Sequence, residues 1–200
     1  MKKDWLYNNR YFIGIGITVG IIGIVAYINR KKVSKLSSDI MEYGQNKVWD
    51  LVSENNIEKL HPLVRNKARE LINKAEKELG IKLRATSTLR TYAEQDKLYA
   101  QGRTTKGGIV TNAKGGFSNH NFGVALDVVP IVNGKADWKA SAETWSKIGQ
   151  LGKSIGFQWG GDWKGLIDKP HFEMQFGNTL AQLRKKYESG NLDNGYVKLA

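Results

Sequence analysis

Between Tyr11 and Ile28 the chain reads YFIGIGITVGIIGIVAYI, a run with no ionisable group apart from its tyrosine phenols. About 18 helical residues at 1.5 Å each span roughly 27 Å, against a hydrocarbon core near 30 Å. The run is just long enough to cross a membrane, and it separates a short head from a polar remainder. No small-x-small cleavage site follows it; Arg30, Lys31 and Lys32 come next, which argues for an uncleaved anchor over a signal peptide. Gly14, Gly16, Gly20 and Gly23 would each weaken a soluble helix by up to ~1 kcal/mol, whereas in lipid they permit close helix contact. Lys2, Lys3 and Arg10 precede the span and Arg30, Lys31, Lys32 and Lys35 follow it. Charge alone therefore slightly favours a cytoplasmic C-terminal side.

What remains of a 200-residue chain has room for one ordinary domain. The expected organisation is a tail over 1–10, the anchor over 11–28, a linker or stalk over 29–55, one domain over 56–190 and a C-terminal tail over 191–200. The absence of cysteine excludes disulfides, thiolate metal sites and a thiol nucleophile, so a metal would have to be held by His, Asp or Glu. A net charge of +12 with a pI near 9.7 implies attraction to polyanions. No aromatic and basic module of a nucleic-acid binder is present, which matches the charge better to an anionic cell wall or lipid surface.

Val33 to Asn56 is polar with scattered apolar residues, consistent with a helical stalk. In Leu60–Gly80, Pro62 lies near a helix start and Leu63, Val64, Ala68, Leu71, Ile72, Ala75 and Leu79 recur at helical spacing before the glycine. Ile81–Thr88 and Gly123–Pro130 read as strands, Tyr92–Gln101, Ala140–Gly156 and Leu180–Tyr187 as helices, and His171–Gln175 as a short extended piece. There is no βαβ rhythm. The expected class is α+β, a small and mainly antiparallel sheet flanked by helices and preceded by one transmembrane helix.

Two stretches carry the chemistry. In SNHNFGVALD, residues 118–127, His120 sits at the mouth of an apolar strand and Asp127 lies within it, where a carboxylate must be paired or bind a cation. In WGGDWKGLIDKPHFEM, residues 159–174, Asp168 precedes His171 by three residues and Pro170 holds the chain extended before the histidine. His120, Asp127 and His171 would offer zinc two imidazoles and a carboxylate, the three protein ligands of a catalytic site. Asp168 is then a candidate base, with Asp162 as its alternative. Glu173 shares a face with His171 if that piece is a strand, as a competing ligand or a supporting group. His61 reads as a helix-start residue, Trp159 and Trp163 as cleft wall or core, and TNAKGG (111–116) as a cleft rim.

The pattern SxHxxGxAxD followed by DxPHFE, with STLRTYAEQDKLYAQGRT at 87–104 and GFQWGGDWKGLIDKPHFEM at 156–174, resembles the VanY-like zinc peptidases of peptidoglycan, especially the phage and bacterial L-alanyl-D-glutamate endopeptidases. The resemblance covers about Asn56 to Phe176 and omits the membrane segment. It implies a Hedgehog/D-Ala-D-Ala peptidase-like fold with zinc (Zn2+) on His120, Asp127 and His171, and Asp168 as general base. It further implies that Arg90 binds a substrate carboxylate, that Gln95 donates to the scissile carbonyl and that Ser118 supports the site or touches substrate. An aspartate in the base position favours the L-alanyl-D-glutamate group. The implied enzyme is a membrane-anchored peptidase with its catalytic domain outside the cytoplasm. A D-Ala-D-Ala carboxypeptidase and a non-catalytic wall-binding protein are the alternatives.

Overall fold

The computed structural model describes residues 30–199; the expected tail over 1–10 and span over 11–28 lie outside them. Contacts divide the chain after Asn46, and Lys47–Ala200 form one compact unit. Among the described residues no helix is long and apolar enough to cross a membrane. Helix α1 covers Arg30–Ile57, and α2 covers Pro62–Leu79 with Pro62 in its first turn and a left-handed Gly80 at its end. Then come β1 (Leu83–Ser87), α3 (Tyr92–Ala100), β2 (Ala125–Val132), β3 (Lys135–Ala136) and α4 (Ala142–Ile155). The chain closes with β4 (Gln158–Trp159), β5 (His171–Glu173), α5 (Leu180–Glu188) and the hairpin β6 (Leu192–Asp193) and β7 (Tyr196–Val197).

The main sheet runs β1-β2-β5-β4, every pairing antiparallel, with β3 folding back on β2. Alternation along each strand sorts its two faces. Leu126, Val128 and Phe172 are fully buried in the core with Val64, Ala68, Leu71 and Ala75 of α2 and Trp145 and Ile148 of α4. Burying each large apolar side chain contributes roughly 1.5–3 kcal/mol, so this face fixes the register. Asp127, His171 and Glu173 are left to the opposite face. α3 starts at a capping box in which Thr91 and Glu94 bond each other's backbone N–H.

The α+β class with a small antiparallel sheet and flanking helices is as expected, with two corrections at the edges. Residues 192–197, expected within a tail, form a hairpin closed by Asn194 and Gly195 at positive φ, and Val197 is buried in the core. An Asn-Gly turn signals such a hairpin, but two-residue strands are too short to show alternation. Packing also begins upstream of residue 56: Ser53 is buried and its Oγ accepts a hydrogen bond from Ala85 N of β1 at 2.9 Å.

Candidate active site

Sheet register alone aligns three residues: Ser87 on β1 lies opposite Asp127 on β2, which lies opposite His171 on β5. A bulge between Ala85 and Ser87 re-aims the end of β1, as bulges beside functional sites do. His120 arrives from the 3₁₀ turn Asn119–Phe122 that leads into β2. His120 Nε2 lies 3.3 Å from Asp127 Oδ1, His171 Nδ1 lies 3.2 Å from the same oxygen, and the two ring nitrogens are 3.2 Å apart.

The second nitrogen of each ring decides what those atoms are. His120 Nδ1 donates to Thr88 O at 2.7 Å, and His171 Nε2 donates to Glu173 Oε2 at 2.9 Å. Each partner accepts only, so the inner nitrogens of the neutral rings present lone pairs. Two lone pairs and a carboxylate oxygen at this separation repel one another unless a cation lies between them. Tetrahedral zinc with bonds of about 2.0–2.1 Å has edges of about 3.3–3.4 Å, so the triangle fits that ion. No other group of three or more His, Asp or Glu residues with this convergence occurs among the described residues.

The local field agrees. Burial pushes the Asp127 carboxyl up, but His120 and then His171 outweigh it and hold the group far below the usual carboxylate range. Burial pushes His171 down, yet Asp127 and Glu173 raise it to about 9, so a proton on Nδ1 competes with a metal ion for the same position. The pocket therefore favours positive charge at this point. Asn119 Nδ2 donates to Glu173 Oε2 at 2.7 Å, and Gln175 Nε2 donates to Asn119 Oδ1 at 3.0 Å. This polar chain fixes Glu173 behind His171, away from the triangle, as a supporting group. Asn119 and Thr88 carried no motif signal; a buried Asn-His-Asn run ahead of a strand was the clue available.

The triangle opens into a cleft of ≈ 770 Å³ lined by Arg90, Ser118, Trp163, Leu166 and Asp168 among others. Asp168 stands in its wall because Asp168 N donates to Gly160 O at 3.0 Å. Any Cβ on residue 160 would come within 2.4 Å of Asp168 O, so this approach requires glycine. Burial first, and then the charge of Asp127, push the Asp168 carboxyl up. Asp162 instead pairs with Lys153 on the surface at 2.7 Å. Trp163 lies against the His171 ring, with centroids 4.9 Å apart. Trp159 stacks on Phe172 and donates to Lys169 O at 2.7 Å, a core role.

Arg90 bonds Ser87 Oγ through Nε at 3.2 Å, Gln95 Oε1 through Nη1 at 2.7 Å and Asp127 Oδ2 through Nη2 at 3.4 Å. Three of its five N–H groups are engaged, which leaves two for a ligand carboxylate. Gln95 departs from its expected role. It is fully buried, and its amide nitrogen faces Ala113 O at 2.9 Å and Thr111 Oγ1 at 3.4 Å. With its donors turned to the rim loop, Gln95 holds Arg90 in place and has none pointed at a scissile carbonyl. The same loop is tied to α3 by Arg103, just beyond the helix, which donates to Tyr99 O of α3 and to Thr111 O and Asn112 Oδ1, and by Asp96 of α3, which accepts from Gly115 N.

The chain is 38% identical over 140 residues to the peptidoglycan L-alanyl-D-glutamate endopeptidase CwlK of Bacillus subtilis (strain 168), across 66% of this chain and 81% of that one. It belongs to that family of peptidoglycan peptidases. An L-alanyl-D-glutamate peptidase of Listeria phage A118 is 32% identical over 122 residues, covering 60% of this chain and 40% of the phage protein. Residues 111–174 match a family model described as D-alanyl-D-alanine carboxypeptidase. The L-Ala D-Glu endopeptidase ChiX of Serratia marcescens aligns at 24% identity with a TM-score of 0.46, covering 62% of this chain and 87% of ChiX. In this peptidase the stretch common to the family model spans His120, Asp127, Asp168 and His171.

Proposed function

We propose that the chain is a zinc endopeptidase that hydrolyses the L-Ala to D-Glu bond of peptidoglycan stem peptides. The observation that carries the reading is the His120–Asp127–His171 triangle, its lone pairs aimed at one point on the wall of a cleft that also holds Asp168 and Arg90. Kinship to endopeptidases of that specificity supports the bond assigned. His120 Nε2, Asp127 Oδ1 and His171 Nδ1 would hold the ion. Bound there, zinc supplies a Lewis acid and brings the pKa of a water toward about 7.

The protein's own groups do the rest. Asp168 takes a proton from the attacking water and returns it to the leaving amine, and its raised affinity for protons suits both halves of that task. Arg90, with two N–H groups uncommitted, grips a substrate carboxylate and fixes the peptide's register. Ser118 lines the cleft beside His120 within reach of the peptide. Residues 11–28 form the anchor in this reading, with the catalytic domain on the extracytoplasmic side where peptidoglycan lies.

The test uses membranes carrying the full chain, washed in alkaline carbonate and incubated with purified peptidoglycan. Mass spectrometry should find fragments with a new N-terminal D-glutamate, absent for Asp168→Ala. Release of terminal D-alanine alone would assign a D-Ala-D-Ala carboxypeptidase, the activity named by the family model over 111–174. A folded, zinc-loaded chain with no product would be a wall-binding protein, and recovery in the carbonate wash would refute the anchor.

A further inference from the structure

The last two turns of α1, residues 50–57, lie along the outer edge of β1. Arg84, 4% exposed, reaches Asp50 at 2.7 Å. Ser53 Oγ accepts from Ala85 N, and Asn56 Nδ2 donates to Ala85 O at 3.2 Å. These two side chains satisfy the main-chain groups that an edge strand would otherwise leave open. Ile57 and Leu60 are buried behind them, and Arg69 of α2 pairs with Glu54 and Glu58.

One contact goes further toward the site. Thr88 Oγ1 donates to Asn56 O at 2.7 Å, and Thr88 O accepts from His120 Nδ1 at 2.7 Å. Thr88 is 3% exposed and lies just beyond β1, so no strand pairing fixes its carbonyl. Two residues on, Arg90 N donates to His120 O at 3.0 Å. The segment 88–90 thus grips His120 by ring and backbone, and α1 grips the segment.

We propose that residues 53–57 of α1 are a positioning element for the metal site, acting on His120 through Thr88. The hydroxyl on Asn56 O aims the Thr88 carbonyl, and the carbonyl selects the His120 tautomer whose Nε2 lone pair faces Asp127 and His171. Residues 53–57 are therefore part of the metal centre's support, and their docking on β1 sets how tightly the centre binds its ion. This rests on the reading of His120, Asp127 and His171 as ligands.

The experiment measures zinc dissociation constants by chelator competition on the full chain in detergent, with Tm from circular dichroism alongside. Thr88→Val keeps size and carbonyl but removes the hydroxyl; it should weaken zinc binding about tenfold, the scale of outer support around metal ligands. Thr88→Ser should restore it. Ser53→Ala, which loosens α1 from β1 without touching Thr88, should move affinity in the same direction. Long-range proton–nitrogen spectra of the His120 ring should show one Nδ1–H tautomer in the unaltered chain and a mixture in Thr88→Val. A lower Tm with unchanged zinc affinity and tautomer would overturn the proposal by reducing the contact to ordinary packing. If the unaltered chain bound zinc no more tightly than His120→Ala, the ligand reading itself would fail and take the proposal with it.

Discussion

At the scale of single residues, Glu173 tests how far the proposed ligand His171 depends on what lies behind it. Its carboxylate takes the His171 Nε2 proton at 2.9 Å and is itself held by Asn119. Burial raises its pKa, but His171 and Asn119 outweigh that and keep it ionised below the ordinary range. Glu173→Gln keeps the shape and removes the charge. Zinc affinity should fall about tenfold, read by chelator competition, while KM for a soluble stem peptide stays close to that of the unaltered enzyme. An unchanged dissociation constant would show that Glu173 has no hold on His171. Histidines and aspartates at motif spacing are legible in a sequence because the chemistry needs those residue types. Asn119, Thr88 and the buried, loop-facing state of Gln95 were not, because any polar side chain or backbone carbonyl can serve and only the folded register decides which one does.

At the scale of elements, long periodic segments were readable, as was the three-residue β5 inside its motif, whereas two-residue strands were not. Helices α2 and α4 show apolar recurrence over several turns, whereas β4 has two residues and is recognised only by its pairing with β5. The packing of α4 on β5 turns on Gly152, where a Cβ would stand 2.3 Å from Phe172 Cε1. Phe172 is fully buried between His171 and Glu173, so it cannot yield without moving the strand that carries the site. Gly152→Ala gains helix propensity of up to ~1 kcal/mol but overpacks the core, at a cost of about 1–3 kcal/mol. The second effect should win, with Tm falling by a few degrees in a thermal melt. A rise in Tm would show that the Phe172 ring can move aside.

At the scale of the whole catalytic unit, the beginning and the end of its fold are joined by one neutral histidine. His61 Nδ1 accepts from Leu63 N at 3.2 Å and so caps α2, while its Nε2 donates to Val197 O at 3.1 Å and so pins the C-terminal hairpin. Both bonds use the neutral Nε2–H tautomer; a proton on Nδ1 would face the Leu63 N–H donor. Burial accordingly lowers the His61 pKa from 6.5, with the nearby Arg65 charge adding to it. For a histidine whose folded pKa is depressed, the unfolded chain binds the proton first. Its stabilising effect is therefore complete above about pH 6.5 and is lost as pH falls from there through the lower folded value. Asn at position 61 would retain a good helix cap without a group that titrates in this range. His61→Asn should lower Tm at pH 7.5, through the lost bond to Val197, and should flatten the drop between pH 7.5 and 5.5. If the variant's Tm fell with pH as steeply as that of the unaltered chain, the acid sensitivity would lie elsewhere, and His61 would be a packing residue between the two ends of the fold.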